Sequence, residues 1–361
     1  MDKLEPLLNI TRISDKVVRI LGQNPGKFTL QGTNTYLIGQ TNPYILLDAG
    51  QGIPAYIPLL REALAKPANP LSPDIADIIL THRHHDHTRG LPSVLTLLRD
   101  LWAERHPDSP FQPPRIHKHP IPSDAPPDET LNEIESSLEE GTYSPAPDGR
   151  AFHPLEDGQI ITLPSSTDDH PLHLKVLYTP GHTTDSISLL FPPDRALFTG
   201  DTVLGKGTAV FEDLASYMSS LRKMVFAART PSGDGEGYAI LYPAHGPVVK
   251  NGPTTIRMYI EHRLEREGQI VEVLSSKPER SGVEAKDVEG GGQADTWTTW
   301  GIVMKMYAKL PESLWEPAAH GVNLHLRKLE KEGKVKVVGG EGKETQWVLI
   351  HRASDIREDP E

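Results

Sequence analysis

The sequence predicts an α/β fold, a four-layer αβ/βα sandwich followed by a C-terminal α+β domain of winged-helix type. Three observations lead to this prediction. Short apolar runs typical of strands alternate with helical segments in two rough halves of the chain. Most of these strands end in polar residues, which would gather at one edge of the sheets. From about residue 255, helices are followed by a two-stranded wing.

In the first half, apolar and β-branched runs indicate strands at residues 17–21, 33–39, 44–50 and 75–80. Helices are predicted at 54–66 and 91–104, the second with Pro92 in its first turn, where proline is tolerated. Residues 107–127 are rich in proline. We interpret this insert as a surface excursion that is partly disordered.

In the second half, strands are predicted at 159–163, 173–178, 186–191, 196–200 and 239–245, with one helix at 212–228. A long amphipathic helix starts near residue 255, and a charged, glycine-containing loop follows at 277–295. A short helix around 312–318, a further helix and two strands complete the chain. We therefore divide it into a first domain at 1–254 and a second at 255–361.

Composition excludes several classes of protein. The formal net charge is −12, which does not suggest a dedicated nucleic-acid binder. The absence of cysteine excludes disulfides, thiolate metal sites and a thiol nucleophile. Neither a secretory signal nor a transmembrane run is visible. We expect an intracellular, cytoplasmic protein without membrane association.

The stretch THRHHDHTRG at 81–90 places four histidines and one aspartate in six positions, directly after a predicted buried strand. His82 and His84 suit one metal ion, and Asp86 and His87 suit a second one close by. Imidazole and carboxylate donors match zinc or similar divalent ions. The alternative interpretation is a solvated histidine-rich loop.

Three later motifs carry further metal-type ligands. They are His182 in TPGHT, Asp201 in FTGDT and His245 in YPAHG, each just beyond a predicted strand. A lone histidine in any of these places is more often structural. Four such loops in this order are hard to produce by chance, which favours a metal site.

Together these motifs resemble the metallo-β-lactamase superfamily of binuclear hydrolases. The resemblance implies two Zn²⁺ ions per chain, the first held by His82, His84 and His182. It implies that Asp86, His87 and His245 hold the second ion, that Asp201 bridges both, and that Asp86 also acts catalytically as proton acceptor and donor. Asp48, in LLDAG, would support the metal loop without binding metal, and His85 would point away from the ions.

The stretches NPGKFTLQGTNTYLIG, GDTVLGKGTAVFEDLASYMSSL and LHLRKLEKEGKV are similar to the lactamase-like, beta-2-type branch of the superfamily. This branch pairs the sandwich with a winged-helix-like domain. The chain departs from the branch at Arg83, where tryptophan is usual, at 88–90, and at 183–186. Thr208, Phe211 and Glu212 are further candidates for the pocket wall.

The resemblance leaves two main substrates open. Fungal members of the branch imply a thioesterase, in which a hydroxide bridging the metals attacks the thioester carbonyl. The substrate would be a polyketide on an acyl carrier protein domain, or a small thioester. Animal members imply a single-stranded RNA endoribonuclease as the alternative. A basic strip could contact RNA or an acidic carrier protein, or could be a solvated helix and wing; it comprises Arg327, Lys328, Lys331, Lys334 and Lys336. A non-hydrolytic binding scaffold is a third possibility, against which the complete ligand set argues.

Overall fold

The computed structural model describes residues 4–122, 128–163, 172–228, 237–277 and 296–350. The chain forms two compact units, one of Met1–Phe211 with Ser216–Arg257 and the other of Glu212–Ala215 with Met258–Glu361. Within the described ranges, no helix is both long and apolar enough to cross a membrane.

The first unit contains a seven-stranded sheet whose strands follow chain order: β1 (Ile10–Ser14), β2 (Val17–Leu21), β3 (Asn34–Ile38), β4 (Tyr44–Leu47), β5 (Ile75–Leu80), β6 (Arg115–Lys118) and β7 (Phe152–Pro154). Pairing is antiparallel from β1 to β4 and parallel from β4 to β7. The helices of this part of the chain are α1 (Tyr56–Leu64), α2 (His85–Thr88), α3 (Leu91–Arg105) and α4 (Glu129–Ser137).

A second, five-stranded sheet has the order β12-β11-β10-β9-β8. Its strands are β8 (Ile160–Thr162), β9 (His173–Tyr178), β10 (Ile187–Phe191), β11 (Ala196–Gly200) and β12 (Ile240–Pro243). The β11–β12 pair is parallel, and the other pairs are antiparallel. Helix α5 (Leu214–Ala227) follows β11, and helix α6 (Gly252–Ser275) follows β12.

Alternation along the strands separates two cores of the first unit. Ile78 and Leu80 of β5 pack with residues of α1 and α3, whereas Ile79 between them packs with residues of the second sheet. Since successive side chains of a strand point to opposite faces, one sheet can contact helices on one side and another sheet on the other. The structure confirms the predicted αβ/βα fold class.

The second unit contains α7 (Thr299–Tyr307), α8 (Trp315–Lys331) and a three-stranded sheet of β13 (Trp297–Thr298), β14 (Val335–Gly339) and β15 (Gln346–Leu349), ordered β13-β15-β14. Its core includes the fully buried Trp347, Leu326 and Leu329. The hairpin of β14 and β15 after α8 is the predicted wing. The predicted short helix at 312–318 is a 3-10 turn, Glu312–Leu314, that leads into α8.

The interpretation of residues 107–127 as a surface excursion is wrong at 115–118. Within the proline-rich insert, β6 is a parallel strand beside β5, and Ile116 is fully buried. The sequence does not predict this strand because it is only four residues long and Ile116 is its one apolar residue. Arg115 and His117 both donate hydrogen bonds to Asp77 of the neighbouring strand β5. These bonds compensate the polar side chains of β6 within the sheet. Residues 123–127 of the insert and nearly all of the predicted loop at 277–295 lie outside the described residues.

Candidate metal centre

The loops that follow four strands bring the sequence-predicted ligands together. The segment after β5 carries four of them, His82 and His84 in a loop and Asp86 and His87 in the short helix α2. His182, Asp201 and His245 follow β9, β11 and β12. Their potential ligand atoms form two groups, each within 4.8 Å: His82, His84, His182 and Asp201; and Asp86, His87 and His245. Residues 100 or more positions apart in sequence thus meet at one edge of the two sheets.

In the first group, three imidazole nitrogens converge. His84 Nδ1 lies 3.0 Å from both His82 Nε2 and His182 Nε2, which are 3.2 Å from each other. Each ring nitrogen is either a donor or an acceptor, so three mutually close ring nitrogens cannot all be joined by hydrogen bonds, whereas all three could bind one ion. Nitrogens at about 2.0 Å from one tetrahedral zinc ion lie roughly 3.3 Å apart, so the spacing fits a metal ion.

Two of these histidines, His82 and His84, have lowered pKa values, which favours the neutral form that binds metals. Burial and the neighbouring imidazoles of His87 and His182 hold the pKa of His82 well below its usual value. Burial, with His182 next, lowers the pKa of His84 to about 4. His182 Nδ1 donates a hydrogen bond of 2.8 Å to the Val210 carbonyl, which leaves the Nε2 lone pair facing the group.

In the second group, Asp86 Oδ2 lies 3.2 Å from the Nε2 atoms of both His87 and His245. Burial lowers the pKa of His245, but Asp201 and Asp86 outweigh it and raise that pKa to about 9. A raised pKa means that His245 holds an extra proton, which it would release when a metal binds. A divalent ion would then supply the positive charge that the proton supplies in the free protein. Buried His87 Nε2 has no hydrogen-bond partner within the described ranges, which also fits a metal ligand.

The Asp201 carboxylate lies between the two groups. Its Oδ2 is 3.5 Å from His182 Nε2 and its Oδ1 is 3.2 Å from His245 Nε2. One oxygen therefore faces each group, as a bridging ligand requires. The donor set of nitrogen and carboxylate oxygen fits two divalent ions.

Asp48 is hydrogen-bonded to the segment that carries the first histidines. Its Oδ1 accepts a 2.8 Å hydrogen bond from the Thr81 backbone N–H, and its Oδ2 accepts from Thr81 Oγ1 and from His87 Nδ1. The last bond directs His87 Nε2 toward the second group. Asp48 adopts a φ of 60°, a left-handed conformation that aspartate tolerates better than most residues.

Two residues near Asp86 were not predicted. Thr33 Oγ1 donates a 3.0 Å hydrogen bond to Asp86 Oδ2, and Asn24 Nδ2 donates to Thr33 Oγ1. Asn24 also donates to Gln51. Both residues lie in the stretch NPGKFTLQGTNTYLIG, whose similarity to the beta-2-type branch could have pointed to them. They were not selected because neither was a candidate metal ligand.

A cleft of 620 Å³ opens onto both groups, and Phe28, Ile53 and Val210 supply apolar walls. His85 is exposed at this cleft and belongs to neither ligand group. Val210, which was not predicted, lines the cleft, whereas the predicted wall residue Phe211 is buried with its ring 5.0 Å from that of Tyr217.

Arg83, one of the departures from the branch, links the loops of the first group. Its Nη1 donates a 2.9 Å hydrogen bond to Thr184 Oγ1, and its Nε lies 3.0 Å from Asp128 at the start of α4. The fully buried Asp185 pairs with Lys118 of β6 and accepts from Thr183. These contacts tie the His182 loop to the His82 loop and to β6.

Residues 28–245 match the family model of the Metallo-beta-lactamase superfamily. The chain belongs to the metallo-β-lactamase superfamily. Residues 298–347 match a Beta-lactamase associated winged helix domain. Both findings confirm the resemblance seen in the sequence, and this superfamily member is a hydrolase with grouped metal-binding residues.

Two relatives illustrate the similarity. The Beta-lactamase-like protein 2 homolog of Drosophila melanogaster is 36% identical over 330 residues, covering 91% of this chain and 92% of the relative. The Atrochrysone carboxyl ACP thioesterase nsrC of Aspergillus novofumigatus is 35% identical over 271 residues, covering 75% of this chain and 66% of the relative. The crystal structure of a beta-lactamase domain protein from Burkholderia ambifaria has a TM-score of 0.60 at 16% identity, covering 96% of this chain and 95% of that one, which shows a shared fold.

Proposed function

We propose that this superfamily member is a thioesterase that uses two Zn²⁺ ions to release an acyl or polyketide chain from an acyl carrier protein. The cleft beside the ligand groups is the observation that carries the proposal. Its walls include Phe28, Ile53 and Val210, and Lys27 is the one lysine or arginine among the described residues that line it. The hydrocarbon part of an acyl group offers apolar surface, which suits such walls. The Aspergillus relative named as an ACP thioesterase supports the same substrate class.

The two ligand groups define the chemistry. Two bound divalent ions lower the pKa of a water molecule and polarise a carbonyl oxygen. His82, His84 and His182 would hold one ion, Asp86, His87 and His245 the other, and Asp201 both. Zinc is proposed because histidine dominates the donors.

Asp86 has a proposed catalytic role beyond holding a metal. Hydrolysis adds a water oxygen to the thioester carbon and breaks the carbon–sulfur bond, giving a carboxylic acid and a thiol. One water proton must be accepted and then returned to the sulfur. Asp86 suits this transfer because its carboxylate lies in the second group and Thr33 fixes its Oδ2 by a hydrogen bond.

The alternative, hydrolysis of single-stranded RNA, has less support. Contacts with the RNA backbone need several lysines and arginines that can bind phosphates. Four of the five residues of the predicted basic strip already pair with carboxylates at 2.5–2.9 Å, namely Arg327, Lys328, Lys331 and Lys334. These pairs favour the interpretation of a solvated helix and wing.

A paired assay tests the proposal. Zinc-loaded protein is given acyl thioesters, including a carrier-protein-bound aromatic chain, and separately single-stranded RNA. We expect cleavage of the thioester that a chelator stops, with no cleavage of RNA. In Asp86→Ala, kcat for the thioester should fall by at least about 100-fold, in line with loss of a proton-transfer group, while the melting temperature shows that the variant is folded.

Two results would count against this assignment. Near-normal turnover by Asp86→Ala would remove Asp86 from the reaction. Cleavage of RNA by the wild type that is lost in Asp86→Ala would assign the protein to the nucleases instead.

A further inference from the structure

The segment between β2 and β3 forms a loop with a fixed base beside the metal centre. Within it, the Gly26 N–H donates to the Leu30 carbonyl at 3.1 Å, and Thr29 Oγ1 donates to the Asn24 carbonyl at 2.6 Å. Thr33 ties the base to Asp86, as described above. The position of the loop is therefore coupled to the second ligand group.

Phe28 projects from the tip of this loop. Its side chain lines the cleft and is 67% exposed. A large aromatic ring left mostly in water next to a reaction centre is unfavourable for the free protein, and it offers contact area to a bound apolar group.

Val210 lies in the same cleft and is coupled to the first ligand group. Its carbonyl accepts the hydrogen bond from His182 Nδ1, while its side chain is 57% exposed. Because the contact with His182 uses only the backbone, the side chain is available to contact a substrate. The cleft thus has one exposed apolar side chain coupled to each ligand group.

We propose that Phe28 and Val210 are specificity-determining residues, which bind the acyl group of the thioester and select a bulky, aromatic acyl group over a short one. This inference rests on the proposed thioesterase function. A short acyl group such as acetyl is too small to cover both side chains in a cleft of 620 Å³, whereas an aromatic group can stack on Phe28 and contact Val210. The amide-rich arm of a carrier protein suits this pair less well, because its polar groups would lose water without gaining hydrogen bonds.

The experiment measures kcat/KM for two small thioesters that share one thiol, acetyl and 2-naphthoyl N-acetylcysteamine. In the wild type we expect the naphthoyl thioester to be preferred. In Phe28→Ala and in Val210→Ala, the ratio of the naphthoyl to the acetyl value should fall by about tenfold or more, which is the scale for loss of apolar contact in a substrate pocket. The loss should come mainly from a higher KM.

Two variants serve as controls. Phe226→Ala removes a similarly exposed phenylalanine, 71% accessible, from α5, and should leave the ratio unchanged. Phe28→Tyr keeps the ring and should retain the preference. Zinc content equal to that of the wild type shows that each variant keeps its metal centre.

The failures of the two proposals are distinguishable. If the wild type hydrolyses thioesters but the ratio stays within twofold in both alanine variants, the acyl-binding role is overturned and the thioesterase function stands. If zinc-loaded wild type hydrolyses neither thioester nor a carrier-protein-bound chain, both proposals are overturned.

Discussion

At the scale of single residues, Asp48 decides which nitrogen of His87 faces the second ligand group. Its Oδ2 accepts the proton of His87 Nδ1 at 2.8 Å, so in the neutral ring the lone pair is on Nε2. Neither oxygen of Asp48 belongs to a ligand group. A carboxylate behind a ligating histidine is a common way to orient the ring and increase its basicity.

We predict that Asp48→Asn weakens binding of the second zinc ion by about 10- to 100-fold. An amide is a poorer acceptor than a carboxylate, and its N–H₂ can face His87 and favour the wrong tautomer. Competition with a coloured zinc chelator measures the affinity. His85→Ala is the control, since His85 is exposed and outside both groups. Equal affinities in Asp48→Asn and His85→Ala would contradict the orienting role.

The seven candidate ligands could be selected from the sequence because histidine and aspartate are distinctive residues when each follows a strand. Thr33, Phe28 and Val210 could not be selected in this way. Threonine, phenylalanine and valine are common in any loop or strand, and their roles depend on a long-range contact or on exposure in a cleft. Only the folded chain shows that Thr33 donates a hydrogen bond to Asp86, 53 positions away.

At the scale of elements, the pairing of β5 with β6 depends on a buried carboxylate. Asp77 is fully buried, accepts a 2.7 Å hydrogen bond from His117 Nε2, and accepts two more from Arg115. Burial raises the pKa of Asp77, but the hydrogen bonds from His117 and Arg115 outweigh it, so the pKa lies below its usual value. The ionised form is therefore favoured by folding.

We predict that Asp77→Asn lowers the free energy of unfolding by about 1–3 kcal/mol at pH 7, the scale for a buried hydrogen-bonded charge. A carboxyl group whose pKa is lowered in the folded state stabilises the protein above its unfolded pKa, about 3.9. That stabilisation is lost as the pH falls through the folded pKa. The difference between wild type and variant should therefore shrink below about pH 4.

Urea unfolding at several pH values measures this difference. Glu104→Gln makes the same carboxylate-to-amide change in the exposed pair with Arg61, and should change stability by less than about 1 kcal/mol. A difference between Asp77→Asn and wild type that grows as the pH falls would contradict the account.

Strands with apolar runs were predictable, and β2, β5 and β9 match their predicted bounds. Short elements with mixed composition were not. Strands β1 and β7 and helix α4 expose much of their surface, so their apolar pattern is weak. Strand β6 could not be predicted because its charged residues form ion pairs with Asp77 and Asp185, which are distant in sequence.

At the scale of the whole molecule, charge bears on the choice of substrate. The net charge of −12 repels polyanions at long range, and ion pairs occupy most of the basic strip.

The fold class and the winged-helix part followed from the order and type of segments along the chain. The substrate did not, because related metal centres serve several hydrolytic reactions.

We predict that the protein binds single-stranded RNA no more tightly than about 10⁻⁴ M at physiological salt, the weak end of non-specific binding. Fluorescence anisotropy of a labelled RNA measures this. A variant with Glu330→Gln and Glu332→Gln releases Arg327 and Lys334 from their partners and should bind more tightly. Tight binding by the wild type that weakens steeply with salt would contradict the prediction.

The central claim is that two ligand groups hold two metal ions. The measurement that tests it most directly is the zinc content of zinc-loaded, desalted protein, by mass spectrometry of the metal, in the wild type, His84→Ala and His245→Ala. Each substitution removes one ligand from one group only. We predict two zinc ions per chain in the wild type and about one in each variant. Less than one zinc ion per chain in the wild type, or contents unchanged by both substitutions, would contradict the claim.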